Sequence, residues 1–434
     1  MGRKHLYPPS VRHGIPRLGK LPRGWTETTF GEQLQVVERP VEIRPDATYQ
    51  LVTAKRNRGG IVARETLRGD QILTAGQFRV EAGDFITSNR QIIHGACGIV
   101  PPELDGAIVS GEYTVLRARN GLHLPFFAHY THTDYFQKTC FFASVGVDVE
   151  KMIFDVEAWL KLPCHLPPTA EQKRLTKILS DADLSVERTL NSKRSKEKFR
   201  SQLTAALFRN GLNEEGRLNK KTTSRATLGG RVPKAWRVIR VGEAGEVRLG
   251  RQRAPDQHSG RHRTPYLRVA NVLDGVIDYS DVLSMDFTPD EREIFSLRPG
   301  DILLNEGQSL NLVGRSAIYA GEANAYCFQN SLIRFRAGSE CLPSFAQIVF
   351  KRYLETGAFQ KVALQTTSIA HLGADRLAQM PFPLPSLDEQ RRIVEHLDHW
   401  TAAITAEERK LAALERVKAE LARRLLTGEL RVKP

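Results

Sequence analysis

The chain has 434 residues, 41% of them hydrophobic, and a formal net charge of +14. That length allows two domains of ordinary size and that apolar content fills sizeable cores, which excludes a disordered tail. The positive excess points to a polyanionic partner; no apolar run approaches the ~20 residues that span a bilayer, so nucleic acid is preferred to a membrane.

The opening Met1-Gly2-Arg3-Lys4-His5-Leu6 has no apolar stretch behind its charges, so it does not read as a secretory signal. A mixed region follows over about 20–165. Short β-rich runs such as Tyr49-Gln50-Leu51-Val52 and Ala107-Ile108-Val109 are punctuated by glycine and proline, and a helical stretch is expected over 124–138. Next comes a helical segment opened by Pro168 and Thr169-Ala170-Glu171-Gln172, a capping-box pattern. Its apolar stripe runs through Leu175, Leu179, Ala182, Val186, Leu203 and Leu207, with a charged interruption over 193–198. The segment ends near Gly211–Gly216, and a basic linker, Arg217 to Arg231, leads into a second mixed region over about 232–380. Strands are expected at Asp301-Ile302-Leu303-Leu304 and Ser331-Leu332-Ile333-Arg334-Phe335, and helix over 343–361.

The last helical segment opens with Pro385-Ser386-Leu387-Asp388-Glu389, again a capping-box pattern. At alternating spacings of three and four stand Ile393, Leu397, Trp400, Ile404, Glu407, Leu411, Leu414, Lys418, Leu421 and Leu425. Eight of these ten are apolar, the pattern of a coiled-coil seam. Residues 389–426 form a rod of ~57 Å at 1.5 Å per residue, closed by Thr427-Gly428.

The two halves repeat. Leu21-Pro22-Arg23-Gly24-Trp25 with Gly31-Glu32 matches Val232-Pro233-Lys234-Ala235-Trp236 with Gly242-Glu243, 211 residues on. Gly83-Asp84 matches Gly300-Asp301, and Leu116-Arg117-Ala118 matches Phe335-Arg336-Ala337. Phe136-Gln137-Lys138 matches Phe359-Gln360-Lys361. Pro167, Glu171, Gln172, Arg174 and Leu179 match Pro385, Glu389, Gln390, Arg392 and Leu397. Their constant order at offsets between 211 and 223 marks a duplicated domain-plus-helix. The fold class is therefore α+β: two globular domains joined by two long helices, each helix expected to pair with its sister. The divisions fall at 1–165, 166–216, 217–384 and 385–434.

Little in the sequence suggests catalysis. There is no G-x-x-x-x-G-K-[ST] phosphate loop, no N-P-P-[FY] or D-P-P-[FY] tetrapeptide, and no G-x-S-x-G elbow. The five cysteines are scattered without a C-x-x-C pair, as in a reducing cytoplasm. His258 and His262 are four apart but lie in a loop, so no metal site is expected.

Basic side chains grip phosphate, and side chains with paired donors and acceptors read base edges. In copy one the candidates are the turn Lys55, Arg56 and Arg58, and the loop Asn89, Arg90, Gln91 and His94. In copy two they are Arg251, Arg253, Arg261 and Arg263, and the loop Asn305, Gln308, Asn311 and Arg315 in the position matching the Asn89 loop.

Several segments together resemble type I restriction-modification specificity subunits. Pro383-Leu384-Pro385-Ser386-Leu387-Asp388-Glu389-Gln390-Arg391-Arg392-Ile393-Val394 looks like the family's conserved helix opening, and Leu166 to Leu175 is its sister. Leu425-Leu426-Thr427-Gly428-Glu429-Leu430 resembles its C-terminal helix end. Pro22 to Trp25 and Pro233 to Trp236 resemble the openings of its recognition domains.

The resemblance implies two target recognition domains, each reading half of a split, asymmetric site in double-stranded DNA, with the helices paired antiparallel as a spacer. It implies a non-catalytic, cytoplasmic subunit that carries two adenine-methylating modification subunits, joined by restriction subunits with ATP-driven translocation. Gln172, Arg174, Leu175, Leu179, Gln390, Arg392, Ile393 and Leu397 are the residues it implies for docking those partners. No cofactor is expected in this chain; S-adenosylmethionine, ATP and Mg would belong to the partners. A sequence-independent nucleic-acid scaffold, or a stand-alone nuclease or methyltransferase, are the alternatives.

Overall fold

A computed structural model describes residues 8–74, 76–220, 223–252, 260–365 and 368–432. The chain divides into two compact units, one formed by Met1–Asn191 with Arg409–Pro434 and the other by Ser192–Glu408. The division falls inside both long helices, Thr169–Asn210 and Leu387–Leu426. Each unit thus takes one globular region, the beginning of one long helix and the end of the other.

Both globular regions are built on an antiparallel four-stranded sheet of the same order. In the first unit the strands are Leu34–Val36, Tyr113–Ala118, Phe85–Ser88 and Cys97–Ile99. In the second they are Gly245–Leu249, Leu332–Ala337, Ile302–Asn305 and Ser316–Ile318. The strand after each opening tryptophan pairs with the strand that feeds a long helix: Thr26–Thr29 with Pro163–Leu166, and Arg237–Arg240 with Pro381–Leu384. The expected helical stretches each split in two, into Leu124–Tyr130 and Asp134–Phe142, and into Pro343–Glu355 and Ala358–Val362. The accessory sheets differ. Copy one adds five strands in the order Pro40–Val41, Gln77–Arg79, Ile108–Ser110, Thr48–Ala54, Ile61–Arg68; copy two adds two three-stranded sheets.

The sequence markers recur because they are two halves of recurring contacts. Asp84 is fully buried, caps the Glu81 N–H at 2.8 Å and pairs with Arg117 at 3.2 Å and Arg39 at 2.8 Å. Asp301 caps the Arg298 N–H at 2.7 Å and pairs with Arg336 at 2.7 Å. The Gly-Asp and Arg-Ala markers are thus one ion pair in each copy. A buried carboxylate is tolerable only when paired and hydrogen-bonded, which explains why both ends persist together.

The same logic anchors the long helices. Gln172 accepts the His123 N–H at 2.8 Å and donates to the Pro167 carbonyl at 2.9 Å. Gln390 accepts the Leu342 N–H at 2.8 Å and donates to the carbonyls of Glu340 at 2.9 Å and Pro385 at 3.0 Å. Trp25 Nε1 donates to Glu171 at 3.5 Å and Trp236 Nε1 to Glu389 at 3.0 Å. These partners displace the expected capping boxes. Thr169 donates to the Gly121 carbonyl, and only the Ser386 hydroxyl accepts from its helix, at the Glu389 N–H. The end of the opposite helix completes each junction. Arg431 pairs with Glu171 at 2.9 Å, and the Leu212 N–H reaches Glu389 at 2.7 Å. Gly211 and Gly428 end the helices at φ of +68° and +73°, pressed against Pro233 and Trp236 and against Pro22 and Trp25. A Cβ at either would meet neighbours at 2.4–2.8 Å, so both conformation and space demand glycine.

Within each unit the helices run antiparallel. In the second, Lys193 and Lys196 meet Glu408 and Glu407, whereas Phe199 lies tilted against Trp400 with ring centroids 4.4 Å apart and Arg200 reaches Thr401 at 3.0 Å. In the first, Lys418 pairs with Asp183. Among the described residues no helix is long and apolar enough to cross a membrane.

Candidate nucleic-acid interface

Four segments of copy one converge at the end of the strand Phe85–Ser88. They are an N-terminal arm around Ser10, the basic turn Lys55–Arg58, the loop 89–95, and the hairpin joining Ser144–Val145 to Ile153–Phe154. His94 links them. Its Nδ1 lies 2.9 Å from Ser10 Oγ, and its Nε2 stands 3.3 Å from Glu150 Oε1, within ion-pair distance but outside hydrogen-bond geometry. Glu150 in turn pairs with Arg56 at 2.8 Å. The imidazole thus shares one hydrogen bond with the Ser10 hydroxyl through Nδ1, while Nε2 faces the carboxylate without one. Burial, and then the Arg56 charge, hold the His94 pKa below its ordinary value despite Glu150.

This geometry sorts the candidates. Lys55 and Arg56 are exposed. Arg58 is half-buried, donates to the Thr131 carbonyl at 2.8 Å, and burial lowers its pKa. It is a strut of the turn. His94 is 1% exposed, so its expected place among base-reading groups is corrected to that of an internal link. Asn89 accepts the Thr114 hydroxyl at 2.9 Å, and Gln91 is half-buried with Oε1 unpartnered. Arg90 is 55% exposed and held by Glu112 through Nε at 2.5 Å and Nη2 at 3.3 Å.

Copy two is assembled differently. Arg251 is clamped by Glu291 at 2.6 Å and the Asp286 carbonyl at 2.9 Å, with Phe287 beneath it at 5.1 Å. Arg261 and Arg263 are exposed, and Arg253 lies outside the described residues, as does His258. Asn305 is fully buried and donates to the Val272 carbonyl at 3.3 Å, which removes it from the expected reading surface. Gln308 and Arg315 are half-buried, and Asn311 is exposed. Glu306, absent from the sequence-based candidates, pairs with His371 at 3.0 Å. Glu112 and Glu150 were also missed: each lies more than 20 residues from the arginine it holds, so no local pattern announces it.

The residues expected to dock partners need a correction too. Gln172, Leu175, Leu179, Gln390, Ile393 and Leu397 are all buried within their own units, leaving Arg174 and Arg392 half-buried. They fasten the helices to the globular regions, and a side chain with no accessible surface offers none to a partner. All five cysteines are buried and form no disulfide. Among the described residues no group of three or more histidine, cysteine, aspartate or glutamate side chains is placed to hold a metal.

Residues 233–416 match the family described as Type I restriction modification DNA specificity domain. Over 442 aligned positions the chain is 22% identical to the Type I restriction enzyme EcoKI specificity subunit of Escherichia coli K12, covering 92% of this chain and 87% of that protein. The chain is thus similar to type I restriction-modification specificity subunits over most of its length. It is also 26% identical to the MjaVIII specificity subunit of Methanocaldococcus jannaschii over 293 residues, 66% of this chain and 65% of that one. A solved structure, from work on assembly and conformational transition of the type I R-M system, shares the fold. Its TM-score is 0.57 at 20% identity, across 95% of this chain and 100% of that one. The Asp–Arg, Trp–Glu and Gln–backbone contacts are the internal fastenings of this fold.

Proposed function

We propose that this chain is the specificity subunit, the DNA-reading component, of a type I restriction-modification complex, each globular region reading one half of a bipartite, asymmetric target. The paired helices set the gap between half-sites and dock two methyltransferase subunits, directing adenine methylation and restriction. The chain has no catalysis of its own; S-adenosylmethionine, ATP and Mg are used by the partner subunits, in the cytoplasm. One observation carries the reading. The Trp–Glu and Gln–backbone fastenings at the helix junctions recur in both copies, whereas the side chains of the loops after Ser88 and Asn305 do not. A pseudo-symmetric holder with unlike reading loops suits two identical partners on one asymmetric site.

For docking, exposed helix positions replace the buried ones: Leu184, Phe199 and Val417 are 41%, 45% and 64% exposed. The reading is tested by exchanging residues 20–165 for another recognition domain in the complex with the modification subunit. One half-site is expected to change and the other to stay. Competition against random duplex supplies the contrast: sequence-independent binding with steep salt dependence would make the chain a general nucleic-acid scaffold instead.

A further inference from the structure

Arg90 and Glu112 form an arrangement that copy two lacks. Backbone hydrogen bonds fix which positions correspond. The Asn89 N–H donates to the Glu112 carbonyl at 2.8 Å, as the Glu306 N–H donates to the Ser331 carbonyl at 2.9 Å. The carbonyl of Asn89 accepts from the Phe154 N–H at 2.8 Å, as that of Glu306 accepts from the Leu372 N–H at 2.8 Å. Asn89 is therefore the counterpart of Glu306, Arg90 of Gly307, and Glu112 of Ser331.

In copy one the carboxylate of Glu112 occupies the side fork of the guanidinium, Nε and Nη2. The end fork, Nη1 with the remaining Nη2 proton, points away from that pair, and the side chain is 55% exposed. A planar guanidinium held along one edge presents two parallel donors on the other. Guanine presents two acceptors, O6 and N7, in the major groove; adenine puts its N6 donor where O6 would be. A phosphate also accepts two N–H groups, but its charge would approach the Glu112 carboxylate, whereas a base edge is neutral.

We propose that Arg90 reads a guanine in the half-site of copy one through its end fork, with Glu112 as the positioning residue that aims it, and that copy two has no such reader at the corresponding position. This rests on the DNA-reading function given above.

The test uses the full chain with its modification subunit, and the half-site of copy one is the one that the exchange of residues 20–165 alters. That half-site is expected to contain a guanine. Arg90→Ala should cut discrimination at that guanine by roughly 5- to 150-fold, the worth of one bidentate pair, and leave the other half-site unchanged. Glu112→Gln should relax the same position at an unaltered melting temperature. Replacing the guanine with 7-deazaguanine, which lacks N7, should weaken the wild type and leave Arg90→Ala unaffected. The wild-type half of that measurement needs no variant to fold. The proposal is overturned by a half-site without guanine, by indifference of the wild type to 7-deazaguanine, or by an unchanged motif in Arg90→Ala. It is also overturned if Arg90→Ala weakens all sequences equally with a shallower salt slope, the mark of a phosphate contact. A wild-type complex that methylates no bipartite site fails the functional reading itself; a bipartite map with an unchanged variant motif fails only this assignment.

Discussion

Gln390 is fully buried and makes three hydrogen bonds, to Leu342, Glu340 and Pro385. Gln390→Leu keeps the volume but strands a backbone donor and two carbonyls. Each buried unpaired group costs about 1–3 kcal/mol, and strain relief shares the loss, so the expected destabilisation is on the order of 3 kcal/mol by denaturant unfolding. The Glu-Gln marker was legible in the sequence as a repeat, but its role was not. Its partners His123 and Leu342 lie 49 and 48 residues away, and nothing local ties them to it. The same blindness assigned Asn305 and His94 to a reading surface, because residue type was known and depth was not.

His94 carries a pH prediction. Its pKa is lowered in the folded protein, so over the range just below the ordinary histidine value of ~6.5 the unfolded chain binds a proton that the folded one does not. Stability is therefore full above that value and falls as pH drops toward the folded pKa. The pH dependence of the melting temperature between 7 and about 5 should be shallower in His94→Gln than in the wild type.

For the helices, the 3,4 spacing was the most reliable guide. All ten seam positions from Ile393 to Leu425 are buried or half-buried. A hydrophobic period reports directly which face is covered, whatever covers it. The two polar positions in that seam meet polar partners, Glu407 with Lys196 and Ser192, and Lys418 with Asp183. The charged stretch over 193–198 is thus no gap in the pairing, since Lys193 and Lys196 supply cross-helix partners for Glu408 and Glu407. Lys196→Leu alone leaves a carboxylate that is 14% exposed beside new apolar surface and should lower the melting temperature. Lys196→Leu with Glu407→Leu should recover most of that loss, and a double-mutant cycle measures the coupling. The capping boxes were misread because the side chains that could have closed them are claimed by tertiary contacts.

At the scale of the whole chain, duplication, helix placement and the α+β class were legible because the recurring contacts join markers that a sequence can display at both ends. The accessory sheets were not. The five strands added in copy one and the two smaller sheets of copy two are short edges whose pairing depends on non-local register. The loops after Ser88 and Asn305 follow the same divide: their positions could be matched between copies, but the carboxylate partners of their side chains could not.

The central claim is that one chain, fastened alike in both halves, reads two unlike half-sites for an enzyme it does not itself contain. Expressing it with the modification subunit encoded beside it and mapping methylated adenines genome-wide tests that claim most directly. The account predicts a split, asymmetric motif, with half-site centres on the order of one helical turn apart. A continuous motif, or none above the background of the modification subunit alone, would contradict it.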